Sequence, residues 1–391
     1  MKRLLFLIPI SCALLSLNGC SVQKPTEIDG TVTAKFVVID TSGTMITNPA
    51  AKIQVVPNAS IRMNTIDYSL PLRFQTDENG VVEIRNERAA RYRISAEKSL
   101  DVDYWISIGE KPRTVMLSGS IEIDLSPADK GIVDTIKVGV SYLSSIVINE
   151  IYYSCCTDYL YFSDQFIELY NSSDSTQYLD KILVCRLADV VEYPGYVKAI
   201  RYYQFPGTGK DHPIEPGQLV VIAMDAIDHV NVGGARHSID LSHADWEFYN
   251  QLSADLDNPN VPNLLNASSV SGGIDFMINL SADEICLVRV DDLDALPTVE
   301  ESYKLISYDT IIDAVEYSSN ADHIKGLVAQ IDAGLAGYSI RSYSGKSIER
   351  HHPETGGPGY DTNNSSFDFV SLSRPTPGWQ HTQEDIIPPL F

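Results

Sequence analysis

Histidine and aspartate crowd one stretch of the chain. His212, His229, His237 and His243 are interleaved with Asp225, Asp228, Asp240 and Asp245, and imidazole with carboxylate is a donor set for a transition metal. The steps from His229 to His237 and from His237 to His243 match neither HExxH nor a zinc-finger histidine pair, so they prescribe no coordination geometry. Hydrated loop polarity is the favoured account of them. Asp255-Leu256-Asp257-Asn258-Pro259-Asn260 alternates oxygen ligands as a calcium loop does. It lacks the glycine at the sixth position and the glutamate at the twelfth, where Asn266 stands. Any calcium there would be structural. Asp291-Asp292-Leu293-Asp294 reads as a solvated turn, and no metal site is expected.

Covalent catalysis needs a nucleophile beside an oriented base. The sequence has no GxSxG elbow, and Gly356-Gly357-Pro358-Gly359 lacks the Lys-Ser/Thr of a phosphate loop. A carboxylate pair for sugar hydrolysis cannot be picked by spacing from the 36 acidic residues after position 140. No catalytic residue is assigned, no cofactor is expected, and the chain reads as a non-enzyme. A metal-dependent hydrolase using the His/Asp stretch is one alternative reading.

The cysteines divide by context. Lys2 and Arg3 precede the apolar run Leu4 to Leu17, and Leu17-Asn18-Gly19-Cys20 reads as a lipobox, with Cys20 as the lipidation site. Residues 1–20 are expected to be a lipoprotein signal peptide and 21–27 a tether. The protein would then sit on the membrane through acyl chains, as an outer-membrane lipoprotein of the cell envelope. The periplasmic or surface face is left open, although no dense acidic run follows Cys20. Cys155, Cys156, Cys185 and Cys286 could form two disulfides outside the cytoplasm. The adjacent pair could also close on itself or reach separately to the other two.

Charge separates two modules. The net charge is −23, and residues 141–391 carry 13 basic and 36 acidic side chains while residues 1–140 are balanced. Such an excess of carboxylates repels phosphate backbones, so no nucleic-acid partner is expected. In residues 28–140, Thr31 to Ile39, Lys52 to Val56, Val81 to Arg85, Tyr92 to Ala96 and Ser120 to Leu125 alternate apolar and polar residues, the period of half-buried strands. Turn residues at 40–43, 48–49 and 76–80 separate them. Arg85, Arg88, Arg91 and Arg93 read as a solvated strand face.

The hairpin Thr76-Asp77-Glu78-Asn79-Gly80 and the strand Arg91-Tyr92-Arg93-Ile94-Ser95-Ala96 resemble the transthyretin-like or carboxypeptidase-regulatory-like sandwich family. In residues 145–380, Ile148-Asn149-Glu150-Ile151, Phe166-Ile167-Glu168-Leu169-Tyr170-Asn171, the turn at Pro216-Gly217, Leu280 to Val288, Ile312 to Tyr317, Ser347-Ile348-Glu349-Arg350, Asp361 to Phe369 and Pro375-Thr376-Pro377-Gly378 resemble, in order, the elements of a lamin-tail-type domain. Tyr178 to Ile182 takes the place of that family's LSGW strand without its glycine and tryptophan. The resemblance implies an immunoglobulin-like β-sandwich, and hence an all-β chain of two sandwiches. An insertion at 225–279 is expected to be partly helical, with Trp246, Phe248, Tyr249 and Leu252 on one face of a short helix. The whole arrangement is similar to an uncharacterised family of lipoproteins from Gram-negative anaerobes, to which no enzymatic activity attaches.

Tyrosine is abundant, 21 against 3 tryptophans, and offers contact area at low rotamer cost together with a hydroxyl. Tyr159, Tyr161, Tyr193, Tyr196 and Trp246 are the expected partner contacts. The leading reading is a lipid-anchored docking or accessory subunit for an envelope protein, with an outer-membrane transporter complex the first partner to test. A glycan or other ligand-capture module is the other alternative.

Overall fold

The computed structural model describes residues 31–45, 53–65, 72–109, 115–127, 132–141, 144–188, 193–268, 275–300, 302–320, 323–338, 340–352 and 355–387. Cys20, the expected signal segment and the tether lie outside them.

The N-terminal lobe contains β1 (Thr31–Asp40), β2 (Gln54–Val55), β3 (Ser60–Thr65), β4 (Leu72–Gln75), β5 (Val81–Arg88), β6 (Ala90–Leu100), the helix α1 (Val102–Ser107), β7 (Val115–Leu125) and β8 (Ile132–Ser141). Alternation does what it predicts. In β1, Val32, Ala34, Phe36, Val38 and Asp40 face inward and the residues between them do not, which is the pleat of a sheet with one buried face. The strands run β2-β1-β8-β7-β6-β3-β4, with β5 also on β1, around a core that includes Phe36, Ile61, Ile84, Ile94, Trp105 and Ile136. At the expected hairpin, the Asp77 carboxylate accepts from the Asn79 and Val81 N–H groups at 2.8 and 2.9 Å. Gly80 closes it at φ +70°, where a Cβ would lie 2.9 Å from the Val56 nitrogen. Arg85 pairs with Glu83, and Arg91 and Arg93 share Glu122, so most of the arginine face is a paired, hydrated strand surface.

The C-terminal lobe adds β9 (Ile146–Tyr152), β10 (Phe166–Asn171), β11 (Gln177–Tyr178), β12 (Ile182–Leu187), β13 (Tyr196–Gln204), β14 (Pro213–Ile214), β15 (Leu219–Ala223), β16 (Trp246–Tyr249), β17 (Asn263–Asn266) and β18 (Ala282–Arg289). Then come β19 (Thr298–Val299), β20 (Tyr303–Ser307), β21 (Ile311–Ser318), β22 (Ser347–Arg350), the helical turn α2 (Ser365–Asp368) and β23 (Phe369–Leu372). Its large sheet runs β21-β18-β12-β13-β17-β16-β15-β10-β9-β22-β23 and curls until β9 meets β21. There the Ile148 N–H donates to the Asp313 carboxylate at 2.7 Å. Arg350, 1% exposed, locks this closure. Its Nε donates to the Ile148 carbonyl, Nη2 to both Asp313 oxygens, and Nη1 to Asp361 and Asp368. Buried charges persist only when paired in this way. The chain is thus all-β, two sandwich-like lobes built from curled sheets, as alternation implies for the first lobe and the family resemblance for the second.

The insertion departs from expectation. The stretch expected to be a helix at 238–249 consists of turns followed by the strand β16, which lies parallel to β15 and β17 inside the main sheet. Trp246 and Phe248 are two apart and both buried, which a pleat satisfies and a helical face does not. The insertion is therefore spliced into the sheet rather than laid over it.

The lobes touch through the segment around 360–367. The Arg62 guanidinium donates to the Tyr360 hydroxyl at 2.8 Å, approaches Glu97 at 3.4 Å and stacks over Phe367. Ser120 donates to the Ala333 carbonyl at 2.9 Å, and Arg93 donates to the Ser366 hydroxyl at 3.3 Å.

Candidate functional site

The loop between β9 and β10 carries two of the expected contacts. Tyr159 is 78% and Leu160 63% exposed, and Leu160 takes φ +70°. The ring of Tyr159 rests edge-on against Tyr343, with centroids 5.3 Å apart. Beside this loop stands the turn at 228–238, where Val232 is 71% exposed. The two are bonded together at several points. Tyr161 and the Nδ1 of His229 share a 2.6 Å hydrogen bond, and Asp158 accepts from the main chain and ring of His237 at 2.9 and 2.8 Å. Asp164, wholly buried, accepts from Ser238 at 2.6 Å and from the Cys156 N–H at 3.1 Å. Gly233 packs so closely on the Tyr161 hydroxyl and the His229 main chain that no Cβ fits there. The result is a pair of loops tied to each other by polar bonds, each carrying exposed apolar side chains. Lone exposed apolar residues are ordinary; here several stand on two loops that are bonded to each other. Leu160 and Val232 were missed by reading tyrosines alone, since their exposure depends on the loop conformation.

The other expected residues scatter. Tyr196 is 37% exposed and Tyr193 half-buried, at the turn that opens β13. Trp246 corrects the expectation. It is a core residue, 6% exposed, edge-on to Phe205 and His212 with centroids 5.0 and 4.8 Å away, because β16 turns its indole inward. The histidines do not converge: His229 is bonded to Tyr161, His237 to Asp158, His212 packs on Trp246 and His243 is exposed. Cys155, Cys156, Cys185 and Cys286 are buried thiols. Cys185 and Cys286 stand directly opposite each other on β12 and β18. Burial pushes the Cys156 thiol up to about 11, which keeps it protonated and unreactive at neutral pH.

One group of three acids comes from the very segments that resemble the lamin-tail motifs. Glu150, Glu168 and Glu349 are fully buried on neighbouring strands, each with a carboxylate oxygen within 4.8 Å of the others. Burial together with the neighbouring Glu349 and Glu168 pushes Glu150 well above the usual carboxylate range, and burial lifts Glu168 to about 8. Every oxygen nevertheless has a protein donor. Glu150 accepts from Ser347 and from the N–H and hydroxyl of Thr376. Glu168 accepts from Asn149 at 3.0 Å and the Gly378 N–H at 2.6 Å. Glu349 accepts from Asn149, Thr376 and both nitrogens of His381 that face it. With its acceptors occupied and its surface dry, this trio fastens the 375–381 segment to the sheet and offers nothing to a substrate. A cleft beside Asp313, bounded by Tyr308, Ile311, Gln330 and Ile331, has room for only a water or two.

Residues 215–376 match the model of a family described as a protein of unknown function, DUF4876. A crystal structure of a DUF4876 family protein from Bacteroides thetaiotaomicron aligns over 90% of this chain and 96% of that one, with 20% identity and a TM-score of 0.53, a likeness of fold. A DUF3823 family protein from Parabacteroides merdae aligns over 53% of this chain and 87% of that one at 9% identity, and its TM-score of 0.17 carries no argument. No curated protein matches the sequence.

Proposed function

We propose that this protein is a non-catalytic binding subunit of the cell envelope, moored through a lipidated Cys20 and docking a protein partner through the platform of Tyr159, Leu160 and Val232. The observation that carries the reading is the bracing of those exposed apolar side chains. Tyr159 and Leu160 project from a loop tied down by Asp158, Tyr161 and Asp164, so ordering the surface on binding costs little. Aromatic side chains at the centre of such patches carry most of the binding energy in protein interfaces. The saturated glutamate trio and the separated histidines favour binding over catalysis. An outer-membrane transporter complex is the first partner to test.

The test is capture from native membranes through a C-terminal tag. Wild type is expected to recover a stoichiometric envelope partner, and Tyr159→Ser combined with Leu160→Ser to lose it while melting normally. Recovery of the same partner by both proteins, or of none by wild type, refutes the docking surface. Mass spectrometry of the membrane-extracted chain tests the anchor separately, with an unacylated residue 20 as the adverse result.

A further inference from the structure

A second trio of acids differs from the glutamates in the one respect that matters to an ion. Asp225 follows β15, Asp255 lies in the loop after β16, and Asp275 precedes β18. The three bring one carboxylate oxygen each to within 4.8 Å of one another. Asp275 is 3% exposed; its Oδ1 accepts the Phe276 N–H at 2.5 Å, while its Oδ2 is buried with no hydrogen-bond partner. The hydroxyl of Tyr203, wholly buried, faces the Asp275 carboxylate and lies in the field of Asp255. Leaving such groups unmade is expensive in a folded interior. The glutamate trio has spent its acceptors on N–H and O–H donors; this one leaves the buried Oδ2 of Asp275 without an N–H donor.

We propose that Asp225, Asp255 and Asp275 hold a single calcium ion. The donors are all oxygen, the choice of a hard cation. Oxygens up to 4.8 Å apart can lie on opposite sides of an ion that binds each at about 2.4 Å. No thiolate is among the donors, and the one nearby imidazole, His229, already has Nε2 against the Asp225 carbonyl at 3.0 Å and Nδ1 against Tyr161. The cage is braced from behind. Glu247 accepts from the Ala226 and Asn258 N–H groups at 2.6 and 2.9 Å, fixing the segments that carry Asp225 and Asp255, and Asp255 itself accepts from the Asn250 and Leu256 N–H groups. The charged group closest to the main chain here, Arg201, gives an N–H to the backbone oxygen of Asp275 at 2.8 Å. The site is not the contiguous Asp255 to Asn260 loop of the sequence reading. It draws a single residue from that loop and two from segments 30 and 20 positions away. The Asp225 carbonyl is linked through His229 to Tyr161 in the β9-β10 loop. The assignment stands whether or not that loop docks a protein.

The experiment uses the full chain, stripped with EDTA and titrated with calcium chloride by calorimetry and by thermal melting. One saturable site is expected, with the melting temperature raised by about 5 °C once calcium is well above its dissociation constant. Magnesium chloride is expected to bind at least tenfold more weakly, since that ion resists giving up its water for an all-protein cage. Asp275→Asn should abolish the binding heat and the calcium shift, yet melt no lower than the wild-type chain in EDTA, because it removes one of three crowded charges. An Asp275 with only a structural role would leave the wild-type melt the same with and without calcium. Asp255→Asn, at a half-exposed position, gives the same readout should the first variant fail to fold. Absence of both heat and shift at millimolar calcium, equal affinity for magnesium, or full retention of binding in both variants overturns the site.

Discussion

At the scale of the residue, burial decides role more than residue type does. Tyr159 and Trp246 are both aromatic candidates for contact, yet one stands 78% and the other 6% exposed. Trp246→Ala is therefore expected to cost about 3–5 kcal/mol in denaturant melts while leaving any captured partner bound to the folded fraction. Tyr159→Ser should change stability by less than about 0.5 kcal/mol. The carboxylates teach the same lesson. Glu150, Glu168 and Glu349 lie in short apolar segments of strand character, so their strands were legible. Their convergence was not, because it depends on a β9-β10 pair and a β22-β9 pair that join residues 18 to 199 positions apart. Asp225 and Asp275 gave still less warning, since neither belongs to a spaced motif and only the fold brings them to Asp255.

At the scale of the element, alternation and turn chemistry were enough wherever one face of a strand meets water. The strands of the N-terminal lobe and the Asp77 to Gly80 hairpin could be read in this way. The 238–249 stretch could not. A four-residue strand flanked by parallel neighbours needs no clean alternation, and capping-type residues before an aromatic run mimic a helix start. Glycine offers a sharper test of the hairpin. Gly43 and Gly80 both adopt positive φ, at +71° and +70°, but a Cβ at Gly43 meets nothing within 4 Å while one at Gly80 meets Val55, Val56 and Val38. Gly43→Ala should cost about 1 kcal/mol and Gly80→Ala about 2–4 kcal/mol, read from chemical denaturation of the two variants side by side.

At the scale of the whole molecule, the acidity lies in the C-terminal lobe and much of it is buried. Burial holds Glu168 and Asp368 at about 8 and Asp225 and Asp313 at about 7, against roughly 4 in an unfolded chain. Between pH 7 and 9 the folded protein therefore keeps protons that the unfolded chain has already released, and stability must fall as pH rises through that window. Melting in the presence of a chelator should be lower at pH 9 than at pH 7; a flat or rising profile would contradict the burial of these acids. The lobes make their own prediction. Arg62 bridges Glu97 in its own lobe to Tyr360 and Phe367 in the other. Arg62→Ala is expected to leave each lobe folded but to enlarge the radius of gyration in X-ray scattering and to speed proteolysis between them.

The parallel pairing of β1 with β8 has a mechanical corollary. Chain enters the first lobe at the start of β1 and leaves for the second at the end of β8, and these two strands lie side by side in seven registered pairs, from Ala34 with Ile132 to Asp40 with Val138. With the leading end moored to a bilayer and a partner tugging on the far lobe, tension would run along both strands in opposite senses. Their hydrogen bonds would then have to shear together rather than peel one by one, and the small sandwich would act as a stiff link able to carry load between membrane and cargo.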